Sequence, residues 1–139
     1  MMAMRLMIWH LDYMKAVPTE KGRSEEVAPP KAIDEKNPIL VFVSFEKADE
    51  AREGIADRGA AEIASVAKGL GASNIVLNPF AHMFAELSSP RFAIEGMSHL
   101  ENLLAPMGFK VASMSFGYFY EIEMKAKGHR YSRQSKVIT

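Results

Sequence analysis

Apolar residues in this chain fall into two formats, short continuous runs of strand length and longer stretches at helical spacing. Leu6 to Trp9 is the first run, and in His10-Leu11-Asp12-Tyr13 polar groups begin to alternate with apolar ones, which predicts an inner strand. From Ala16 to Pro38 the chain carries Pro18, Gly22, Pro29, Pro30 and Pro38 among charges. Proline removes a backbone donor and fixes φ, so this stretch predicts a long, irregular excursion. Ile39 to Phe45 is rich in β-branched and aromatic residues and predicts a second buried strand. Between Ala51 and Leu70, Ile55, Gly59, Ile63, Val66, Ala67 and Leu70 recur at helical spacing, with Gly69 and Gly71 as a stop. Asn74 to Leu77 is a third strand-length run, ended by Asn78-Pro79. Ser88-Ser89-Pro90 then supplies a hydroxyl cap and a proline in the first turn of a helix. Its apolar stripe is Ala93, Met97, Leu100, Leu104 and Met107, and Gly108 closes it. Phe109 to Ser115 predicts another strand. After Gly117 the chain alternates, with Tyr118, Tyr120, Ile122, Met124 and Ala126 on one face and Phe119, Glu121, Glu123, Lys125 and Lys127 on the other.

The predicted order is strand, strand, helix, strand, helix, strand, strand, an α/β fold with a mixed β-sheet and two long helices packed on it. The last two strands form either a tight hairpin around Ser115-Phe116-Gly117 or one long strand bent by a bulge at Gly117. A chain of 139 residues, 48% of them apolar, has the size of one domain, expected over 1–139. No internal repeat interrupts it. The start, MMAMRLMIWHLDYM, is too short an apolar run to cross a bilayer and lacks a small-residue cleavage site, and its methionines before Arg5 are left out of the fold prediction.

Charge narrows the partners. Seventeen Lys and Arg balance seventeen Asp and Glu, so the molecule lacks a strong long-range field for nucleic acid and any RNA contact must be local or helped by another domain. The absence of cysteine removes disulfides, thiolate metal sites and a cysteine nucleophile. No G-x-S-x-G elbow, H-E-x-x-H pair, phosphate loop or metal-ligand cluster is present, so no cofactor and no metal are expected.

Four histidines remain as candidate acids, bases or orienting donors. His82 follows the proline that ends a strand, at the kind of edge where ligand sites collect in α/β sheets. His10, beside Asp12 and Tyr13, is more simply a hydrogen-bonded structural residue, and His99 belongs on a helix surface. His129 sits in a tail with Lys125, Lys127, Arg130, Arg133 and Lys136, either a phosphate-binding patch or a solvated tail. Phe116, Tyr118, Phe119 and Tyr120 could stack a nucleobase, though aromatics in a strand more often serve the core. These residues alone define a soluble α/β domain and nothing finer.

Read in order and spacing, His10-Leu-Asp-Tyr13, Val43-Ser-Phe-Glu-Lys47, Asn78-Pro-Phe-Ala-His82, Phe116-Gly-Tyr-Phe-Tyr120 and Lys127-Gly-His129 resemble the N-terminal editing domain of archaeal threonyl-tRNA synthetases, over nearly the whole chain. The resemblance implies a D-aminoacyl-tRNA deacylase-like fold, a cytoplasmic homodimer, and hydrolysis of the ester between serine and the terminal ribose of threonine tRNA. It further implies that the catalytic and anticodon-binding parts of the synthetase act with the domain in cis or in trans. Proofreading is needed because threonine exceeds serine by one methyl, a difference worth only roughly 10- to 200-fold in a binding pocket. In such domains the aminoacyl group is held largely by backbone around the segment matching Pro79, Phe80, Ala81 and His82, with the histidine orienting substrate and water. The ribose 2′-hydroxyl assists. Phe116, Tyr118 and Phe119 match residues lining the site.

Two positions depart from the family pattern. Tyr120 stands where a catalytic lysine is common, and Arg133 where a glutamate is common. Tyr120 as a hydrogen-bond donor and Arg133 as a displaced positive charge are the expected substitutes, which places His82, Tyr120 and Arg133 as the catalytic group. A D-aminoacyl-tRNA deacylase and a non-catalytic module for RNA-end binding or dimerisation are the rival readings.

Overall fold

The computed structural model describes residues 4–22, 30–80 and 87–139. Its strands are β1 (Met4–Lys21), β2 (Ile33–Lys36), β3 (Pro38–Ser44), β4 (Asn74–Pro79), β5 (Lys110–Ser113), β6 (Tyr118–Ala126) and β7 (Arg133–Ile138). Its helices are α1 (Ile55–Leu70) and α2 (Pro90–Leu104), with a single 3-10 turn at Lys47–Ala51 and another at Ala105–Met107. β3, β4 and β5 run parallel, joined by α1 and α2 as crossovers, and β1 lies antiparallel beside β3.

β1 organises the molecule because it belongs to two layers. Its first half pairs with β3 on one side and β7 on the other, Arg5 opposite Ser44 and Val137, Trp9 opposite Leu40 and Arg133. A register shift between Leu11 and Tyr13 lets the second half leave that sheet and pair with β2 and β6. Alternation along β3 and β4 then fills two cores. Ile39, Val41, Val43, Ile75 and Leu77 meet Ile63, Ala67, Leu100 and Leu104 of the helices. Leu40 and Val76 face the other way, onto Leu11, Met14, Ala16, Ile33 and Met114. Strands covered on both faces must be apolar at every position, which is why β3 and β4 are continuous runs.

The structure departs from the sequence prediction in five places. Pro18 does not end β1, because it sits at a register shift opposite Tyr120 and beyond the reach of β2, where no ladder amide is missed. The excursion from Ala16 to Pro38 therefore contains ladder at both ends. Neither alternative for the last strands holds, since β5 pairs with β4 and β6 with β1, and residues 114–117 carry the chain from one layer to the other. The tail forms β7 against β1. Met4, set aside with its neighbours, is fully buried, and its thioether lies against Gly59 of α1 so closely that a Cβ there would stand 2.8 Å from Cε. The predicted helices hold, the second ending in a 3-10 turn where Pro106 removes a donor.

Candidate active site

A small cavity of about 110 Å³ lies at the C-terminal ends of β3 and β4. At this edge the connections that leave the parallel strands β3 and β4 gather side chains from separate parts of the chain, which is where sites collect on a rigid sheet. Val43, Ser44 and Phe45 form one wall, Pro79 and Phe80 a second, and Leu87, Ser88, Pro90 and Ala93 at the entry to α2 a third. Phe116 closes it from the 114–117 crossing.

Local interactions hold each wall. The Phe80 amide donates to the Val43 carbonyl at 2.8 Å, continuing the β3–β4 ladder past Pro79, and its ring stands edge-on to Phe42 at 5.6 Å. Ser88 donates its amide to the Phe45 carbonyl, and Ser89 caps α2 by accepting the Phe92 amide on its side chain at 3.2 Å. The Ser115 amide donates to the Tyr120 hydroxyl at 2.7 Å, and the Gly22 amide to the Gly117 carbonyl at 2.6 Å, so the loop carrying Phe116 is pinned on both sides. Gly117 takes φ 88°, a conformation that favours glycine.

Beneath the β3 end, Asp49 is fully buried. Its carboxylate accepts the Met4 amide at 3.1 Å, the Glu46 amide at 2.8 Å and the Arg52 guanidinium at 2.8 Å. Two buried side-chain oxygens on this stretch, Ser44 Oγ and Glu46 Oε2, have no hydrogen-bond partner among the described residues. Sequence reasoning assigns no role to Ser44, Glu46 or Asp49. The available signal was the run of polar residues at alternate positions directly after an apolar strand.

The sequence-predicted site residues divide. Pro79, Phe80 and Phe116 meet on the cavity wall. Ala81 and His82 lie outside the described residues. Tyr120 is half-buried between the layers and reaches the cavity only through Ser115. Tyr118 shares its face of β6, whereas Phe119 points the opposite way and is 61% exposed. Arg133 sits over the Trp9 ring, 5.0 Å from its centroid. Because Trp9 pairs with Leu40 while Arg5 pairs with Ser44, Arg133 stands about 13 Å down the strand from Ser44. The structure does not bring Arg133 to this cavity within one chain. Removing the Tyr120 hydroxyl with Tyr120→Phe is expected to lower stability by about 1 kcal/mol through the Ser115 amide, read as a lower denaturation midpoint, and to loosen the loop that carries Phe116.

At the other end of the sheet His10 and His129 form a separate polar group. Tyr131 donates its amide to His129 Nδ1 at 3.2 Å, which puts the His129 proton on Nε2, facing His10 Nδ1 at 2.9 Å. Lys127 donates to Asp12 at 2.6 Å and reaches Asn37, itself at φ 50°. Burial, with Lys127 and His129 nearby, holds His10 below its ordinary pKa of 6.5, and Asp12 opposes this. The Lys127 hydrogen bond holds Asp12 below its ordinary 3.8. Above pH 6.5 His10 is neutral in both states and contributes nothing. As pH falls below 6.5 the unfolded chain takes up a proton that the folded one refuses, so stability drops until the folded pKa is passed. Denaturation midpoints should fall on this limb, and His10→Asn should flatten it. His99, on the exposed face of α2, lies 3.7 Å from Asp57. Among the described residues no three His, Cys, Asp or Glu side chains are grouped to hold a metal, and no helix is long and apolar enough to cross a membrane.

Comparison with known proteins adds three findings. Residues 4–138 match the family described as the Archaea-specific editing domain of threonyl-tRNA synthetase. The chain is 35% identical over 138 residues to a threonine–tRNA ligase of Methanopyrus kandleri, covering 98% of this chain and 22% of that protein. It is 33% identical over 139 residues to the corresponding ligase of Thermococcus gammatolerans, with 97% and 22% covered. The chain thus spans about a fifth of the curated relatives it matches. A structure described as a probable eukaryotic D-amino acid tRNA deacylase superposes with a TM-score of 0.63 at 12% identity, over 97% of this chain and all of that one. The c-Myc DNA unwinding element binding protein superposes with a TM-score of 0.69 at 7% identity, over 95% and 97% of the two chains. At these identities the likeness is one of fold.

Proposed function

Since the chain belongs to the Archaea-specific editing domains of threonyl-tRNA synthetase, we propose that it hydrolyses L-seryl-tRNA(Thr), releasing serine from the terminal ribose. The observation that carries this reading is the cavity at the β3 and β4 ends, amino-acid-sized and apolar-walled, with Pro79, Phe80 and Phe116 gathered on it. The seryl group occupies the cavity and the ribose lies at its mouth. Water attacks the ester carbonyl carbon, the bond from that carbon to the ribose oxygen breaks, and a proton passes to that oxygen. The products are serine and tRNA with a free terminal hydroxyl.

No nucleophilic side chain is required, because positioning a water against a fixed ester can supply several kcal/mol of barrier lowering. His82 is assigned the orienting of substrate and water, with the ribose 2′-hydroxyl assisting. Tyr120 acts by holding Ser115 and, through it, Phe116. Its hydroxyl proton remains available to donate, since the Ser115 contact uses the oxygen as acceptor. Tyr118 extends the same wall towards the tRNA end. Arg133 is assigned no part in the cavity of its own chain, and serves the ester only if a second copy presents it, as in a homodimer. Balanced overall charge fits a domain that receives tRNA held by the catalytic and anticodon-binding parts of a synthetase in the cytoplasm.

The test is deacylation of L-Ser-tRNA(Thr) by the parent and by His82→Ala. The parent is expected to release serine, and the variant to lose 10²-fold or more, on the order that positioning groups supply. A variant as fast as the parent would remove His82 from the mechanism, and an inert parent would remove hydrolysis altogether.

A further inference from the structure

The sheet face turned away from the helices is only partly covered. Along β1, Leu6 and Ile8 enter the helix-side core, while Arg5, Met7 and Trp9 point the other way. Residues opposite one another in a ladder share a face, so Arg133 stands beside Trp9, and Phe42 stands between Met7 of β1 and Asn78 of β4. Three half-buried rings form a row across this face. Phe80, on the cavity wall, stands 5.6 Å from Phe42, Phe42 stands 5.9 Å from Trp9, and the Arg133 guanidinium lies 5.0 Å from the Trp9 centroid. The row leads from the cavity to a fixed cation.

Asn78 is an independent sign of a ligand. It is 9% exposed, and its side-chain amide has no hydrogen bond among the described residues. Ser44 Oγ and Glu46 Oε2 are unpaired and sealed, whereas the Asn78 amide atoms keep contact with solvent. A carboxamide so placed offers an acceptor and two donors to whatever lies against Phe42 and Phe80. On the described face of β7, the first half of β1, β3 and β4, the charged residues are Arg5 and Arg133, with no Asp or Glu. A row of rings with an amide at one end and a cation at the other suits an unpaired RNA strand. Rings stack its bases, the amide meets a base edge and the guanidinium meets a phosphate. An apolar partner would leave Asn78 unpaired and cover Arg133 without supplying an anion.

We propose that this face is the track for the unpaired 3′ end of the tRNA. The terminal base lies against Phe80 and Phe42 with the Asn78 amide on its edge, and the strand continues past Trp9 with Arg133 on its backbone. The proposal rests on the ester-hydrolysis reading for its ligand. It adds the path by which the RNA reaches the cavity mouth, and it gives Arg133 a contact well away from the ester. It also reconciles RNA binding with a chain whose charges balance, because stacking and one local cation replace a long-range field.

The test is equilibrium binding of uncharged tRNA(Thr), of the same RNA cut back to its paired stem, and of RNA whose terminal adenosine is replaced by purine riboside, which lacks the amino group. Each is titrated against the parent, Arg133→Gln and Asn78→Ala. The first variant changes a surface residue and the second removes an amide without a described partner, so both should fold. The parent should bind the intact end about tenfold or more tighter than the cut-back RNA. It should favour terminal adenosine over purine riboside about fivefold or more, a preference that Asn78→Ala loses. Arg133→Gln should weaken the intact RNA and lower the slope of log affinity on log salt by about one. Equal affinity of the parent for intact and cut-back RNA, or none for either, overturns the proposal whatever the variants do. So does a parental salt slope in Arg133→Gln, or an intact base preference in Asn78→Ala. A change in oligomeric state on light scattering with RNA binding unaltered would assign the face to a second copy instead. Because the RNA is uncharged, ester hydrolysis without end binding overturns the track alone, and end binding lost in the variants with no ester turned over supports the track and refutes hydrolysis.

Discussion

Asp49→Ala is expected to lower stability by on the order of 3–5 kcal/mol, the largest effect of any single truncation considered, because the lost carboxylate satisfies two buried amides at once and each costs about 1–3 kcal/mol when unpaired. Met4 is fully buried and Glu46 is 1% exposed, so neither amide can turn to water without moving its strand. The Arg52 guanidinium is partly exposed and can recover solvent, which keeps its share small. Asp49→Asn retains an acceptor and should lose less. Chemical denaturation of the three proteins measures the difference. A loss under about 1 kcal/mol for Asp49→Ala would mean that the N-terminal strand and the end of β3 are held by something else. Because Ser44 and Phe45 follow directly from that strand end, turnover should fall with stability.

Gly96→Ala should also be destabilising, by about 1–2 kcal/mol, although Gly→Ala in a helix interior ordinarily gains up to about 1 kcal/mol. Sterics decide the sign. A Cβ at position 96 would stand 2.5 Å from Phe45 Cζ and 2.7 Å from Cε2, and overpacking of this kind costs about 1–3 kcal/mol. Phe45 is 4% exposed and stands edge-on to Phe92 at 5.5 Å, so the ring has little freedom. It also forms part of the cavity wall and, on its other side, borders a wider recess of about 340 Å³ between the helices. Any shift of the ring therefore reshapes the site, and turnover of the seryl ester should fall together with the thermal midpoint. Gly69→Ala in α1 is the control. Nothing lies within 4 Å of a Cβ there, so the ordinary helix gain should appear. Equal effects at the two glycines would show that contact with Phe45 does not matter.

The elements legible in the sequence were those whose own residues carry the signal. β3 and β4 are covered on both faces and must be apolar throughout, and Ser89 and Pro90 mark the start of α2 by local hydrogen bonding. The elements missed take their identity from a distant partner. β2 is Ile-Asp-Glu-Lys, and β7 is polar at most positions; each is a strand because β1 lies beside it. The length of β1 past Pro18 is likewise set by β6, a hundred residues on in the chain. The same distinction runs through the site. Pro79, Phe80 and Phe116 were legible because a strand end and a glycine turn bring backbone to the sheet edge. Ser44 and Asp49 were not, since being unpaired, or being triply paired, is a property of burial that spacing does not encode. Tyr118 and Phe119 are expected together on one wall from the resemblance, yet adjacent residues of a strand face opposite ways.

The most direct measurement is deacylation of tRNA(Thr) carrying L-serine, L-threonine or D-serine by the parent protein. Rapid release of L-serine with L-threonine spared is the expected result, the one-methyl difference being what a proofreading site must add to the limited discrimination of a binding pocket. Release of D-serine alone would assign the chain to chirality checking, and release of none of the three would contradict a hydrolytic role for this site.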